Sequence, residues 1–310
     1  MCDIWKNNKN LKQLNEQDVQ DLIISFKQLG TKQVVMSGGE AILHPNFFQF
    51  CEILQKENIT ISLLTSGLTL EKNAEKLAKF VNNIIVSIDG DENLHDTIRN
   101  IPGAFQKIKK AVDRIRSIKP KFKITGRTVI HKLNYKSWPA IIESAKKLGL
   151  NQISFLPADV SSHAFNREVL WNSAKQNEIL LEKDDLPELR KTAENIIANY
   201  KIEIQDQFIA ESEDKLRQIC EYYEAFYDKN SFPNKKCNAP WVSTVIAADG
   251  AVSPCFFHDS IGNIHENILT DILNSQKAIN FRKMLDVNGN STCEKCVCHL
   301  SLPINSKVSG

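Results

Sequence analysis

Apolar residues return at helical spacing along residues 16–29, where Val19, Leu22, Ile23 and Phe26 share a face. Gly30 ends that run. Residues 33–37 then form a short apolar stretch of strand character. The same alternation continues down the chain. Helical patterns fall over 47–57, 71–80, a shorter piece near Glu92, 103–118 and 136–148, and strand patterns over 60–64, 83–89, 122–130 and 152–157. This rhythm predicts an α/β fold, a parallel sheet of five strands with helices packed outside it. Five strands are too few for a closed eight-strand barrel and enough for a partial one. Polar residues end several of the strands: Ser37, Ser66, Asp89, His131 and Asp159. That edge is where ligands bind in barrels and open parallel sheets.

Residues 161–232 read as a helical, charged connector, and from Cys237 the texture changes. Residues 241–247 predict a strand, Asp249-Gly250 a hairpin turn, and Val252 the return strand. Residues 267–285 predict a helix, 288–291 a polar loop, and the tail from Leu302 a frayed end.

Charge adds little. Lys and Arg number 39 against 37 Asp and Glu, a balance without the basic footprint of a nucleic-acid or anionic-membrane binder. No apolar run reaches the length of a membrane span and no signal peptide is visible, so a cytoplasmic, reducing setting is expected. There, the eight cysteines are not expected to pair as disulfides.

The cysteines carry the sharpest chemistry. Cys237 and Cys255 bracket the hairpin, and Cys293-Glu-Lys-Cys296 is a CxxC pair. Together they predict a four-thiolate cage, for which spacing alone leaves zinc and iron–sulfur open. Cys298 is a fifth candidate, either replacing Cys296 or free. Cys51 and Cys220 lie in helical patterns and read as small core residues. The segment Ser37-Gly38-Gly39-Glu40, directly after a strand, offers open backbone beside a carboxylate, a setting suited to an ammonium group, although a Gly-Gly pair also serves as a plain turn. Ser87 and Asp89 alternate onto one face at a strand end, as a ribose clamp would, or cap the next helix. His131, Asp159 and His163 lie near the ligand-bearing edge and are candidates to face substrate. His44 is expected to shape the turn before Pro45; His95, His258, His265 and His299 share no ligand spacing and are expected in surface or turn roles.

Taken in order, these motifs resemble the radical S-adenosylmethionine (SAM) superfamily. Cys2-Asp3-Ile4-Trp5 resembles the end of that family's CxxxCxxC motif, and Ser37-Gly-Gly-Glu-Ala-Ile-Leu-His-Pro45 its GGE segment. The strand ending Ser87-Ile-Asp89-Gly90 is similar to its ribose-binding strand, and Arg127 falls where relatives place a polar contact to SAM. Cys237, Gly250, Cys255, Cys293 and Cys296, with Gly262-Asn263-Ile264 and Arg282, resemble the twitch or SPASM auxiliary-cluster domain.

The resemblance implies a partial (β/α)6 radical SAM core over residues 1–160 with its first strand missing. A helical connector over 161–232 and a twitch/SPASM domain over 233–301 would follow. It implies a [4Fe–4S] cluster with Cys2 as one ligand, and SAM held by Ser37, Gly38, Gly39, Glu40, Ser87, Asp89 and Arg127. One auxiliary cluster, expected as [4Fe–4S], would sit on Cys237, Cys255, Cys293 and Cys296. Only one cysteine of the radical motif is present, which is expected if Met1 lies inside that motif, and the chain as it stands would then be inactive. The implied activity is reductive cleavage of SAM to a 5′-deoxyadenosyl radical, which takes hydrogen from a peptide or small molecule. A flavodoxin or ferredoxin would supply electrons. The competing readings are a noncatalytic relative with a structural four-cysteine site serving as a scaffold, and an electron-transfer protein using the C-terminal cluster alone.

Overall fold

The computed structural model describes residues 12–164, 167, 169–227 and 231–303. Cys2 lies outside them. Helix α1 (Glu16–Leu29) opens on a capping box: Asn15 accepts from the Asp18 amide, and the Asp18 carboxylate from the Asn15 amide. Gly30 closes it in the left-handed conformation (φ 63°). Strand β1 (Gln33–Met36), α2 (Phe47–Lys56), β2 (Thr60–Thr65), α3 (Ala74–Phe80) and β3 (Asn83–Ser87) follow. Then come α4 (Glu92–Arg99), α5 (Ala104–Ile118), β4 (Lys123–Ile130), α6 (Trp138–Lys147) and β5 (Gln152–Pro157). The five strands form one parallel sheet in sequence order.

The two faces of the sheet differ. Ile61, Leu63, Ile84, Val86, Ile124, Ile153 and Phe155 point outward and are buried under the helices. Fully buried Trp138 meets Phe155 edge-on at 5.3 Å between ring centres. The residues between them form the other face, and most remain partly open. Parallel register sets them side by side: Ile85 beside Thr125, Ser87 beside Arg127, Arg127 beside Ser154. Arg127 is exposed, and Ser87 and Ser154 are half-buried, so a polar row crosses the inner face near the carboxyl end of the sheet.

Helices α7 (Ser173–Asn177), α8 (Leu186–Asn199), α9 (Lys201–Gln205) and α10 (Glu213–Glu224) make up the connector. They do not stand apart: Leu189, Ile196, Leu216, Tyr222 and Tyr223 belong to the same apolar core as the sheet. Tyr223 donates to the Ile130 carbonyl and accepts from the Ala158 amide at 2.8 Å, tying the ends of β4 and β5 to α10. Residues before α10 extend the sheet in rudimentary form, with Ile209 bridging Ile153 in parallel. Cys51 and Cys220 are buried core residues, as their helical patterns predict.

Beyond the connector lie α11 (Ala239–Val242) and a small antiparallel sheet of β6 (Val245–Ile246), β7 (Ala251–Ser253) and β8 (Gly262–Asn263). Next come α12 (Leu269–Leu273), α13 (Gln276–Met284) and α14 (Ser291–Glu294). The hairpin is shorter than predicted because Pro240 starts a helical turn that takes Trp241 and Val242 out of the strand. Gly250 makes the turn at φ 81°. The single predicted helix over 267–285 is two, since Ser275 caps α13. The end is not frayed at Leu302: its amide and carbonyl bind the Asn238 side chain at 3.0 and 2.6 Å. Among the described residues no helix is long and apolar enough to cross a membrane.

Candidate SAM and iron–sulfur sites

At the carboxyl end of β1, Gly38 adopts φ 121°, a backbone setting open to glycine and strained for other residues. Gly38 and Gly39 are exposed and Ser37 is half-buried. Glu40 is fixed from the next strand: Thr65 donates to one carboxylate oxygen at 2.6 Å, and the Ser66 amide and hydroxyl to the other at 2.9 and 2.5 Å. An ionised carboxylate offers about four lone-pair positions. Three are taken, so the group is aimed and one position stays open. Bare backbone beside an oriented carboxylate fits the amino group of SAM.

Ser87 and Asp89 do not share an open face. Ser87 lies in the inner polar row, whereas Asp89 is buried and receives Arg99 Nε of α4 at 2.5 Å, with His95 behind it at 3.8 Å. Asp89 therefore anchors Arg99 at the rim. His131 is fully buried; its Nδ1 accepts from the Leu133 amide at 3.2 Å, while Nε2 has no partner. Burial pushes its pKa down to about 4, so the ring is neutral at physiological pH. Asp159 is locked to Arg167 at 2.5 Å, and His163 Nδ1 lies 2.9 Å from the Arg167 carbonyl. His44 shapes its turn as expected, accepting from the Asn46 amide at 3.1 Å.

Glu211 was not singled out in the sequence. It lies beyond the short extension beside β5, its carboxylate against the Phe155 amide and within electrostatic reach of Arg127 and Lys215. One of its oxygens is buried without a hydrogen-bond partner, and burial raises its pKa to about 7. Nothing in the local pattern marks it, because the groups that surround it come from distant strands.

In the C-terminal domain, α11 and the Asn238 contacts to the tail bring Cys237 beside the CxxC segment. The Asn238 amide also donates to the Leu300 carbonyl at 2.7 Å. Cys255 and Cys237 both act on the Cys293 thiol, and Cys255 acts on Cys296, so the four form one electrostatic group. Cys298 lies within electrostatic reach of Cys255 and of Arg127 and Asp159 of the barrel. It is accessible, yet the surrounding protein pushes its thiol up to about 11.

Among the described residues no three His, Cys, Asp or Glu side chains close tightly enough for a single metal ion. The thiols already have donors. The Phe257 amide points at Cys255 Sγ (3.5 Å), the Cys298 amide at Cys296 Sγ (3.4 Å), and His258 Nε2 lies 3.2 Å from Cys293 Sγ. Hydrogen bonds of this kind stabilise and tune cluster thiolates. His258 lies in a turn, as expected, with its ring half-buried and set edge-on against Phe281 at 4.8 Å.

Residues 1–145 match the radical SAM superfamily model, and residues 237–297 match the model described as an iron–sulfur cluster-binding domain, SPASM. An AdoMet-dependent heme synthase of Methanosarcina barkeri is 29% identical over 140 residues, 44% of this chain and 40% of its own. The antilisterial bacteriocin subtilosin biosynthesis protein AlbA of Bacillus subtilis is 26% identical over 247 residues, 77% of this chain and 48% of its own. The chain thus spans about half the length of the curated relatives it matches. Among solved structures, native anSMEcpe with bound AdoMet superposes with a TM-score of 0.63 at 18% identity, covering 91% of this chain and 78% of its own. Streptococcus suis SuiB bound to precursor peptide SuiA gives 0.63 at 15%, covering 92% and 64%. These two share the fold.

Proposed function

The chain belongs to the radical SAM superfamily and carries a SPASM iron–sulfur domain, and from that premise we propose that it is an oxidoreductase or maturase acting on a peptide. The observation that carries this reading is the oriented Glu40 carboxylate beside the Gly38-Gly39 backbone, with a polar row of Ser87, Arg127 and Ser154 on the same sheet. When bound, the reduced cluster and SAM supply a 5′-deoxyadenosyl radical for hydrogen abstraction. Glu40 and the Gly38-Gly39 backbone receive the SAM ammonium. Ser87 meets the ribose, with Asp89 holding Arg99 at the rim, and Arg127 meets the carboxylate. Cys2 is one ligand of the radical cluster, and Cys237, Cys255, Cys293 and Cys296 hold the auxiliary one.

A peptide is favoured over a small molecule by the relatives that cover most of this chain. AlbA serves bacteriocin biosynthesis and covers 77% of this chain, and SuiB binds a precursor peptide and covers 92%. The heme synthase and the probable GTP 3′,8-cyclase of Methanococcus maripaludis cover only 44% and 50%.

The test is anaerobic. Protein extended to carry all three cysteines of the CxxxCxxC motif is reconstituted with iron and sulfide, reduced, given SAM, and assayed for 5′-deoxyadenosine, with SAM binding measured in parallel. We expect binding and cleavage, and a loss of roughly 10- to 100-fold in SAM affinity in Glu40→Ala, the worth of one charged hydrogen bond. Iron-loaded protein that neither binds nor cleaves SAM would defeat the enzyme reading and leave the scaffold or electron-transfer role. Stimulation of cleavage by small alcohols but not by peptides would defeat the peptide assignment alone.

A further inference from the structure

Cys293 is held differently from Cys255 and Cys296. Cys255 and Cys296 receive backbone amides. Cys293 instead faces a side chain, His258 Nε2, at 3.2 Å. Beneath the same segment lies Lys235, whose ammonium donates to the carbonyl of Cys293 at 3.4 Å and to that of Glu294. Both groups are fixed. His258 is set edge-on against Phe281, and the Lys235 amide binds Asn288 Oδ1 at 3.0 Å. The Lys235 charge acts on Cys293 and Cys296 alike.

Resting on the auxiliary-cluster reading above, we propose that His258 and Lys235 are positioning residues that raise the midpoint potential of that cluster through Cys293. A metal-bound cysteine sulfur carries no proton, so a short contact to imidazole is a hydrogen bond only if Nε2 donates. The reduced cluster carries one more negative charge than the oxidised one. A fixed donor at the Cys293 sulfur and a fixed ammonium at the Cys293 carbonyl therefore stabilise the reduced form more. His258 contributes as a donor, not as an iron ligand.

The test compares wild type with His258→Phe, which keeps the ring against Phe281 without the donor, and with Lys235→Met and Lys235→Arg. Each protein is reconstituted anaerobically, its iron and sulfide are counted, and its auxiliary EPR signal is titrated against potential. That signal is identified by its loss in Cys255→Ala. We expect unchanged iron in all three variants. In His258→Phe the reduction equilibrium should weaken about tenfold, a fall of about 59 mV for a one-electron couple. Lys235→Met should give a smaller fall, and Lys235→Arg should restore it. Intact clusters with unmoved midpoints in His258→Phe and Lys235→Met would overturn the proposal. Loss of iron in His258→Phe would overturn it differently, by making His258 a ligand. A wild-type protein that holds no auxiliary cluster would instead refute the functional reading on which it rests.

Discussion

Under the helices of the barrel lie Ile61, Leu77, Ile84, Phe105, Phe122, Trp138 and Tyr223, all nearly or wholly buried, in one core that also takes in the connector. The C-terminal domain buries Val252, Ile261, Leu269, Ile272 and Ala278, and completes that small core with Leu22, borrowed from α1. A second contact, Asp18 Oδ1 to His265 Nε2 at 3.1 Å, joins the same helix to the domain. One region thus has apolar surface enough to fold on packing. The other has too little and relies on its cysteines and on a neighbour, as small domains commonly do. A cluster on these cysteines is then expected to matter for folding on one side of the molecule only.

The largest effect should come from iron. Stripping the metal, or replacing Cys255 with Ala, should leave the barrel resistant to protease and open residues 233–303 to cleavage, read by mass spectrometry of the fragments. Equal protection of both regions without iron would break the contrast. Next, Trp138→Ala removes a fully buried ring from the barrel core. It should cost about 3–5 kcal/mol in a denaturant titration while leaving the iron content of the C-terminal domain unchanged.

Two buried groups should make barrel stability depend on pH in opposite ways. His131 has a folded pKa near 4, below the ordinary value of 6.5. The unfolded chain binds its proton first, so stability falls as pH drops from about 6.5 toward 4. Glu211 has a folded pKa near 7, above the ordinary 4.5. There the folded chain keeps the proton longer, so stability falls as pH rises from about 4.5 through 7. Each slope should total at most about 3 kcal/mol. Glu211→Gln should remove the second and His131→Phe the first, and urea titrations across pH will show whether they do. The smallest effect belongs to Arg127→Ala. Arg127 is exposed and makes only a 3.4 Å bond to Ser154, so stability should change by less than about 0.5 kcal/mol. Its cost should appear in SAM affinity instead.

The barrel was legible because its signals are local. The helix over 16–29 and the strand over 152–157 have the bounds read from periodicity, since alternating burial and capping leave their mark within a few residues. The cage was legible as a set of cysteines, because thiols in a CxxC beside a hairpin have few other uses. Much of the small domain was not. β8 is two residues long and pairs with β7 across a loop. Trp241 and Val242 looked like strand until Pro240 turned them into a helix.

What the sequence determined by itself was the order of elements in the barrel and the identity of the thiol and Gly-Gly-Glu segments. Tertiary structure alone decided which groups meet. Asp89 could be placed on a strand face, but not paired with Arg99. His258 lies 35 residues from Cys293, and nothing between them records the contact. Glu211 becomes a proton-holding group only because the fold buries it, against the pull of Arg127 and the Phe155 amide toward the ionised form. Periodicity reports burial one turn or one strand at a time. Hydrogen-bond partners and local dielectric are set by whichever distant segment folds against a residue, and neither leaves a trace in local spacing.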